Sequence, residues 1–217
     1  MLSRILIHRS TERRECRRLI GGCYEVIDDD SMATAVLVID MIEEFVTGRR
    51  GNPRAQAIVP NVARLLEAAR REGALVVYLT DSHLPGSDAE FEIWGVHAEA
   101  GSEGTEIIPE LRPGEGDHRI HKRHYSCFYA TGLDALLGEL GVTRIVVTGV
   151  LTNVCIQHTA ADAFFRRYEI VVPSDCVDAL TEEEHVRGLT FMERMYGVEL
   201  MTSDELIAGG LTGGSPR

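Results

Sequence analysis

Arg144-Ile-Val-Val-Thr-Gly-Val-Leu-Thr-Asn-Val-Cys155 is the stretch that decides how this chain is read. Arg144–Thr148 is a short run of branched apolar residues. A run of that length and composition suits a strand buried on both faces. Gly149 turns it, and a helix is predicted to begin near Asn153. Cys155 then falls about two residues into a helix, directly after a strand. A helix N-terminus offers unpaired N–H groups and the positive end of the dipole, both of which favour thiolate. Cys155 is therefore the candidate nucleophile, while Cys127 and Cys176 read as small buried hydrophobes.

The same strand–turn–helix unit recurs on either side. Strands are predicted over Ala35–Ile39, Ala74–Leu79, Asp117–His121, Tyr168–Val172 and Val198–Met201. Helices are predicted over Val59–Arg71, Leu133–Leu140, 181–195 and 203–208, with Gly73 and Gly141 as stops. The polar stretch 82–117 is longer than a simple connection requires, and such loops tend to be functional. Repeated units of this length predict an α/β fold, a three-layer doubly wound sheet, mainly parallel, with helices on both faces. Ligands in such sheets sit outside the carboxyl ends of the strands. Asp40, Asp81, Lys122 and Cys155 all fall at that edge.

Lys122 is the only lysine, against twenty-one arginines. A compact ammonium, unlike a planar guanidinium, can sit between two charged groups and share a proton. Asp40, at the end of a neighbouring strand, is the candidate base for Cys155. His158 lies three residues along the helix from the cysteine and reads as a packing histidine. Asp81-Ser-His83 with His97 offers one carboxylate and two imidazoles, a set that suits zinc, iron or manganese, although surface loops also carry Asp and His without an ion. His118, His121 and His124 alternate faces in an extended segment and read as strand-edge or surface residues.

Size and charge narrow the function further. With 217 residues, one domain is expected, at the usual scale of about 100–200 residues. A formal net charge of −12 disfavours nucleic acid and anionic lipid as partners, since both need clustered cations. No apolar run is long enough to span a membrane. The five cysteines are odd in number and scattered, which predicts reduced thiols in a cytoplasm. Residues 1–31 carry six arginines between Arg4 and Arg18 and are set apart as an N-terminal extension, with Met32 the alternative natural start. The domain is expected over 32–210, with a frayed tail over 211–217.

The ordered motifs Val38-Ile-Asp40-Met-Ile-Glu-Glu-Phe45, Thr80-Asp81-Ser-His83, Trp94-Gly-Val-His97, Lys122-Arg-His-Tyr125-Ser-Cys-Phe128 and Gly149–Cys155 span nearly the whole domain. In them the chain resembles the isochorismatase-like cysteine hydrolases, and among those the nicotinamidases, also called pyrazinamidases. That resemblance implies a catalytic triad of Asp40, Lys122 and Cys155. It implies a cis peptide between Val150 and Leu151, and an oxyanion hole from the N–H groups of Leu151 and Cys155. It implies metal ligation by Asp81, His83 and His97, with zinc expected, and ring contacts from Phe45, Trp94 and Tyr125. It also implies a homo-oligomer. Leu84 before Pro85, Cys127 after Tyr-Ser, and the bulky Leu151 depart from the usual pattern and bear on pocket dimensions.

The expected activity is hydrolysis of a small planar carboxamide, nicotinamide first, with release of ammonia. The alternative is a metal-independent hydrolase of ureido, carbamoyl or biuret-type amides. A nucleotide-binding module is disfavoured, because Asp40–Phe45 holds no glycine and three carboxylates where a phosphate loop would lie.

Overall fold

A computed structural model describes residues 33–212 with side chains, and the backbone of β1 (Cys16–Leu19) and β2 (Gly22–Glu25), which pair antiparallel. The rest of the proposed N-terminal extension, and residues 213–217, lie outside the described residues.

β3 (Thr34–Ile39) is buried at every position and lies in the middle of a seven-stranded sheet. It pairs in parallel with β4 (Leu75–Asp81) on one side and β6 (Arg144–Val150) on the other. β5 (His118–Lys122) continues beyond β4. Beyond β6 come β7 (Glu169–Pro173) and β9 (Glu199–Met201), and the two-residue β8 (Val177–Asp178) also pairs with β6. Every pairing in this sheet is parallel. The strand order reverses between β3 and β6, which is where a sheet of this kind opens a crevice.

Among the described residues seven α-helices accompany the sheet: α1 (Glu43–Val46), α2 (Pro53–Glu72), α3 (Glu90–Trp94), α4 (Leu133–Glu139), α5 (Gln157–Phe165), α6 (Glu182–Tyr196) and α7 (Ser203–Gly209). Strand periodicity divides the core into two. Val36, Val38, Val76, Tyr78, Val146 and Val171 pack against α2 and α7, whereas Ala35, Leu37, Ile39, Val77, Val147 and Val172 pack against α4, α5 and α6. The expected three layers are present. No helix among the described residues is long and apolar enough to cross a membrane.

Several boundaries differ from the sequence expectation. α2 begins at Pro53 rather than Val59, because the Asn52 side chain accepts from the N–H groups of Arg54 and Ala55, a cap worth about 1 kcal/mol. Pro60 lies inside this helix. An interior proline costs about 3 kcal/mol, and burial of Ile58, Val62, Leu65 and Leu66, at roughly 1.5–3 kcal/mol each, outweighs it. The long 82–117 connection holds α3 and is pinned over the sheet edge by bridges of Ile42 to Ile107 and His83 to Glu99. Leu211, placed by the sequence reading in a frayed tail, is fully buried. Its N–H donates to Glu72 and its carbonyl accepts from Thr34.

The helix after β6 also starts later than expected. Thr152–Ile156 forms a π-helical turn and α5 begins only at Gln157, so Cys155 precedes the α-helix. Gly149 permits the approach to this turn. It sits at φ 110°, and a Cβ there would collide with the Ile39 carbonyl oxygen. The peptide between Val150 and Leu151 is cis, at the bond the resemblance indicated.

Candidate active site

Four neighbouring strand ends deliver the chemistry. Asp40 follows β3 with φ 56°, a left-handed conformation that Asp tolerates better than most residues. Asp81 ends β4, Lys122 ends β5, and Cys155 lies in the turn after β6. All four are buried. The Lys122 Nζ stands 2.7 Å from Asp40 Oδ2, 2.5 Å from Asp81 Oδ1 and 3.5 Å from Cys155 Sγ. The Asp81 N–H donates to the other Asp40 oxygen at 2.9 Å. The sequence reading put Asp81 with the metal ligands alone; here it also holds the lysine.

Burial decides the resting protonation. It raises Asp40, the Asp81 charge raises it further, and Lys122 opposes both, leaving Asp40 at about 6. Burial also pushes the Cys155 thiol well above its usual range despite the ammonium beside it. The expected resting thiolate is therefore replaced by a thiol. Desolvation acts on the whole charge, whereas one π-helical turn offers only a partial dipole. Burial alone would lower Lys122, but Asp40 and Asp81 outweigh it and hold the ammonium firmly charged.

Beside this cluster, Asp81, His83, Glu90 and His97 bring ligand atoms within 4.8 Å of one another. Sequence reasoning found three of these and missed Glu90, which α3 carries over the site from inside the long loop. Both imidazoles are oriented. His83 Nδ1 donates to Asp88 at 3.0 Å, and His97 Nδ1 to the Gly95 carbonyl at 2.7 Å. Asp88 is fixed in turn by the Leu84 N–H and by Arg123, which holds its carboxyl far below the usual range. His83 Nε2 is buried with no hydrogen-bond partner. Burial, then the charge of Asp81, pushes Glu90 up to about 7. An orphaned imidazole nitrogen and crowded carboxylates with oriented second partners are the features a divalent cation would satisfy. The residues fit such an ion.

A cavity of about 340 Å³ opens onto both clusters and is lined by Asp40, Asp81, Glu90, His97, Leu151 and Cys155. Phe45, Trp94 and Tyr125 line it as the sequence suggested, and Trp94 Nε1 donates to the Tyr125 hydroxyl at 2.8 Å. Arg49 and Arg50 line it too, which the sequence did not indicate. Cys127 is fully buried in the core, so its departure from the family pattern leaves the pocket wall unchanged; Leu151 does form part of that wall. His158 is exposed and donates to the Val154 carbonyl, so it is a hydrogen-bonded rather than a packed histidine. His118, His121 and His124 form no ligand group among the described residues, and His121 instead meets the Thr80 hydroxyl.

The Isochorismatase domain profile matches residues 34–205. The chain belongs to the isochorismatase family. Among solved structures, N-carbamoylsarcosine amidase from Thermoplasma acidophilum is 40% identical, with a TM-score of 0.77 over 81% of this chain and 99% of that one. The zinc complex of pyrazinamidase from Pyrococcus horikoshii is 28% identical, with a TM-score of 0.73 over 78% of this chain and 99% of that one. A probable inactive nicotinamidase of Arabidopsis thaliana is 35% identical over 187 residues, 79% of this chain and 93% of the relative. Isochorismatase-family hydrolases thus place amidases of several substrates around this chain.

Proposed function

We propose that this protein is a cysteine amidohydrolase that releases ammonia from a small amide. The observation that carries the reading is the buried Lys122 standing between Asp40, Asp81 and the Cys155 thiol, three residues that line the cavity.

Asp40 is mostly ionised at neutral pH and is the base that takes the Cys155 proton as sulfur attacks the amide carbon. A C–S bond forms and the carbonyl electron pair moves onto oxygen, where the N–H groups of Leu151 and Cys155 receive it. Collapse breaks the C–N bond. Asp40 returns its proton to the departing nitrogen, so ammonia leaves neutral. Water then adds to the thioester carbon and gives a proton to Asp40. The acid departs and Cys155 recovers its proton. Lys122 keeps Asp40 oriented and offsets the charge that develops on sulfur.

Asp81, His83, Glu90 and His97 would hold a divalent ion, with zinc expected and iron or manganese as alternatives. When bound, it supplies a Lewis-acid anchor for a polar atom of the substrate. This group, with Phe45 and Trp94 on the wall, supports nicotinamide as a substrate. A second reading, an N-carbamoyl or ureido compound, is supported by the arginines on the cavity wall and by the 40% identity to N-carbamoylsarcosine amidase. Ammonia release from nicotinamide, pyrazinamide, biuret and N-carbamoyl amino acids, measured side by side, tests the reading. Turnover of any of them that survives Cys155→Ala would sink it.

A further inference from the structure

Arg49 and Arg50 follow α1 in the turn before α2, and both line the cavity that holds Cys155. Each guanidinium is anchored at one end: Arg49 donates to the Val96 carbonyl and Arg50 to the Trp94 carbonyl. Among the described residues one carboxylate pairs with both arginines. Glu44 Oε1 lies 3.4 Å from Arg49 Nε and 3.6 Å from Arg50 Nε. Arg50 Nε is buried and makes no hydrogen bond. Two cations against Glu44 leave a positive charge on this wall; of the other carboxylates lining the cavity, Asp40 and Asp81 are engaged by Lys122, and Glu90 belongs to the metal-ligand group. Glu44 Oε1, at 3.6 Å, is too far to accept from it, so this buried donor is unsatisfied, which is unfavourable in a charged group. A neutral amide can offer this wall only an uncharged acceptor, whereas a carboxylate matches the planar guanidinium in shape and charge.

We propose that Arg50, with Arg49 beside it, forms a carboxylate-recognition site in this cavity, so that the preferred substrates carry an anionic group at the end away from the amide. This rests on the amidohydrolase reading and narrows its substrate class to acids such as N-carbamoyl amino acids. Arg50 is then a specificity-determining residue that also anchors the Trp94 segment.

Binding separates the proposal from the chemistry. Calorimetry on the Cys155→Ala protein compares N-carbamoylglycine with its methyl ester, which keeps the amide and loses the charge. The acid should bind about 10-fold tighter or more, the scale of one hydrogen bond to a charged group. Arg50→Gln, which keeps a donor for the Trp94 carbonyl, should erase that preference while leaving the ester's affinity within a few-fold. Arg50→Lys, which keeps the charge, should retain part of it. Equal affinity of acid and ester for the Cys155→Ala protein overturns the proposal without any Arg50 variant having to fold. Equal weakening of both by Arg50→Gln also overturns it, since the arginine would then be only a loop anchor. Failure of the amidohydrolase reading shows separately, as absence of ammonia release by the intact enzyme.

Discussion

The Lys122 ammonium stands closer to Asp81, at 2.5 Å, than to Asp40, at 2.7 Å. One buried cation thus serves two carboxylates, and the thiol site and the metal-ligand group share a residue. Asp81 turns one oxygen to Lys122, while its other lies 3.5 Å from His83 Nε2. A change at Asp81 therefore acts on both halves of the site.

Lys122→Arg keeps the charge but forces a planar fork into a fully buried position built for a compact ammonium. We predict that kcat falls by about 10²-fold or more, the usual scale for losing a positioned group in the transition state. Steady-state kinetics on the purified variant, with circular dichroism to confirm folding, checks this. A variant that keeps most of its rate would make the lysine a bystander.

Cys155→Ala should remove all measurable turnover with the fold intact. Iodoacetamide should reach Cys155, which lines the cavity, ahead of Cys127 and Cys176, which are fully buried. Peptide mapping after brief alkylation gives the order directly, and modification of Cys127 or Cys176 first would contradict the accessibility seen here.

The position of Asp40 sets a pH dependence. As the base it must be ionised, and burial with the nearby Asp81 charge raises it from 3.8 to about 6. Activity should therefore be present above this value and be lost as pH falls through about 6, the raised pKa moving the acid limb upward. The kcat/KM profile of the free enzyme reports it. A rate that stays flat down to pH 4.5 would mean Asp40 is either unshifted or not the base.

Strand ends were legible in the sequence because continuous apolar runs stop where polar residues begin. Asp40, Asp81 and Lys122 could be put on one edge from that alone. The order of strands brought Cys155 to the same edge. Glu90 and Asp88 were not legible. They lie in a long polar loop, and only α3 and the His83–Glu99 bridge fold them back over the site. The protonated resting thiol was also out of reach, since it depends on burial in the folded site, whereas the sequence shows only local helix geometry. Arg50 looked like one arginine among many until the structure put it in the lining of the cavity that holds Cys155.

Gly149→Ala tests the close packing of β3 against β6. The new methyl would meet the Ile39 carbonyl, and the φ of 110° is one that alanine rarely adopts. Ile39 and Gly149 are paired in register, so neither strand can retreat alone. Destabilisation above about 4 kcal/mol is expected, in the range reserved for severe steric or backbone conflicts. Thermal melts and soluble yield measure it, and a variant within 1 °C of the parent protein's Tm would show that the strands have room to part.

The metal group makes the last prediction, with a readout that does not depend on turnover. Asp88 touches no ligand atom of the cavity; it holds His83 by Nδ1, leaving Nε2 toward Asp81, and Arg123 keeps Asp88 charged. Asp88→Asn should therefore weaken zinc binding by about 10–100-fold, the range seen when an orienting partner is lost. Glu90→Gln and His97→Ala should lower the bound zinc per chain more severely, because each removes a ligand atom. None of the three touches Cys155, so its alkylation by iodoacetamide should continue at a similar rate. If the ion positions the substrate, its removal by chelation should raise KM for nicotinamide and make benzamide, which lacks the ring nitrogen, a poor substrate of the loaded enzyme. Elemental analysis and competitive zinc titration decide the matter. A protein that takes up no zinc, iron or manganese, or a His97→Ala variant that binds zinc as tightly as the parent, would remove the metal from this site and leave a cysteine hydrolase that works through Asp40, Lys122 and Cys155 alone.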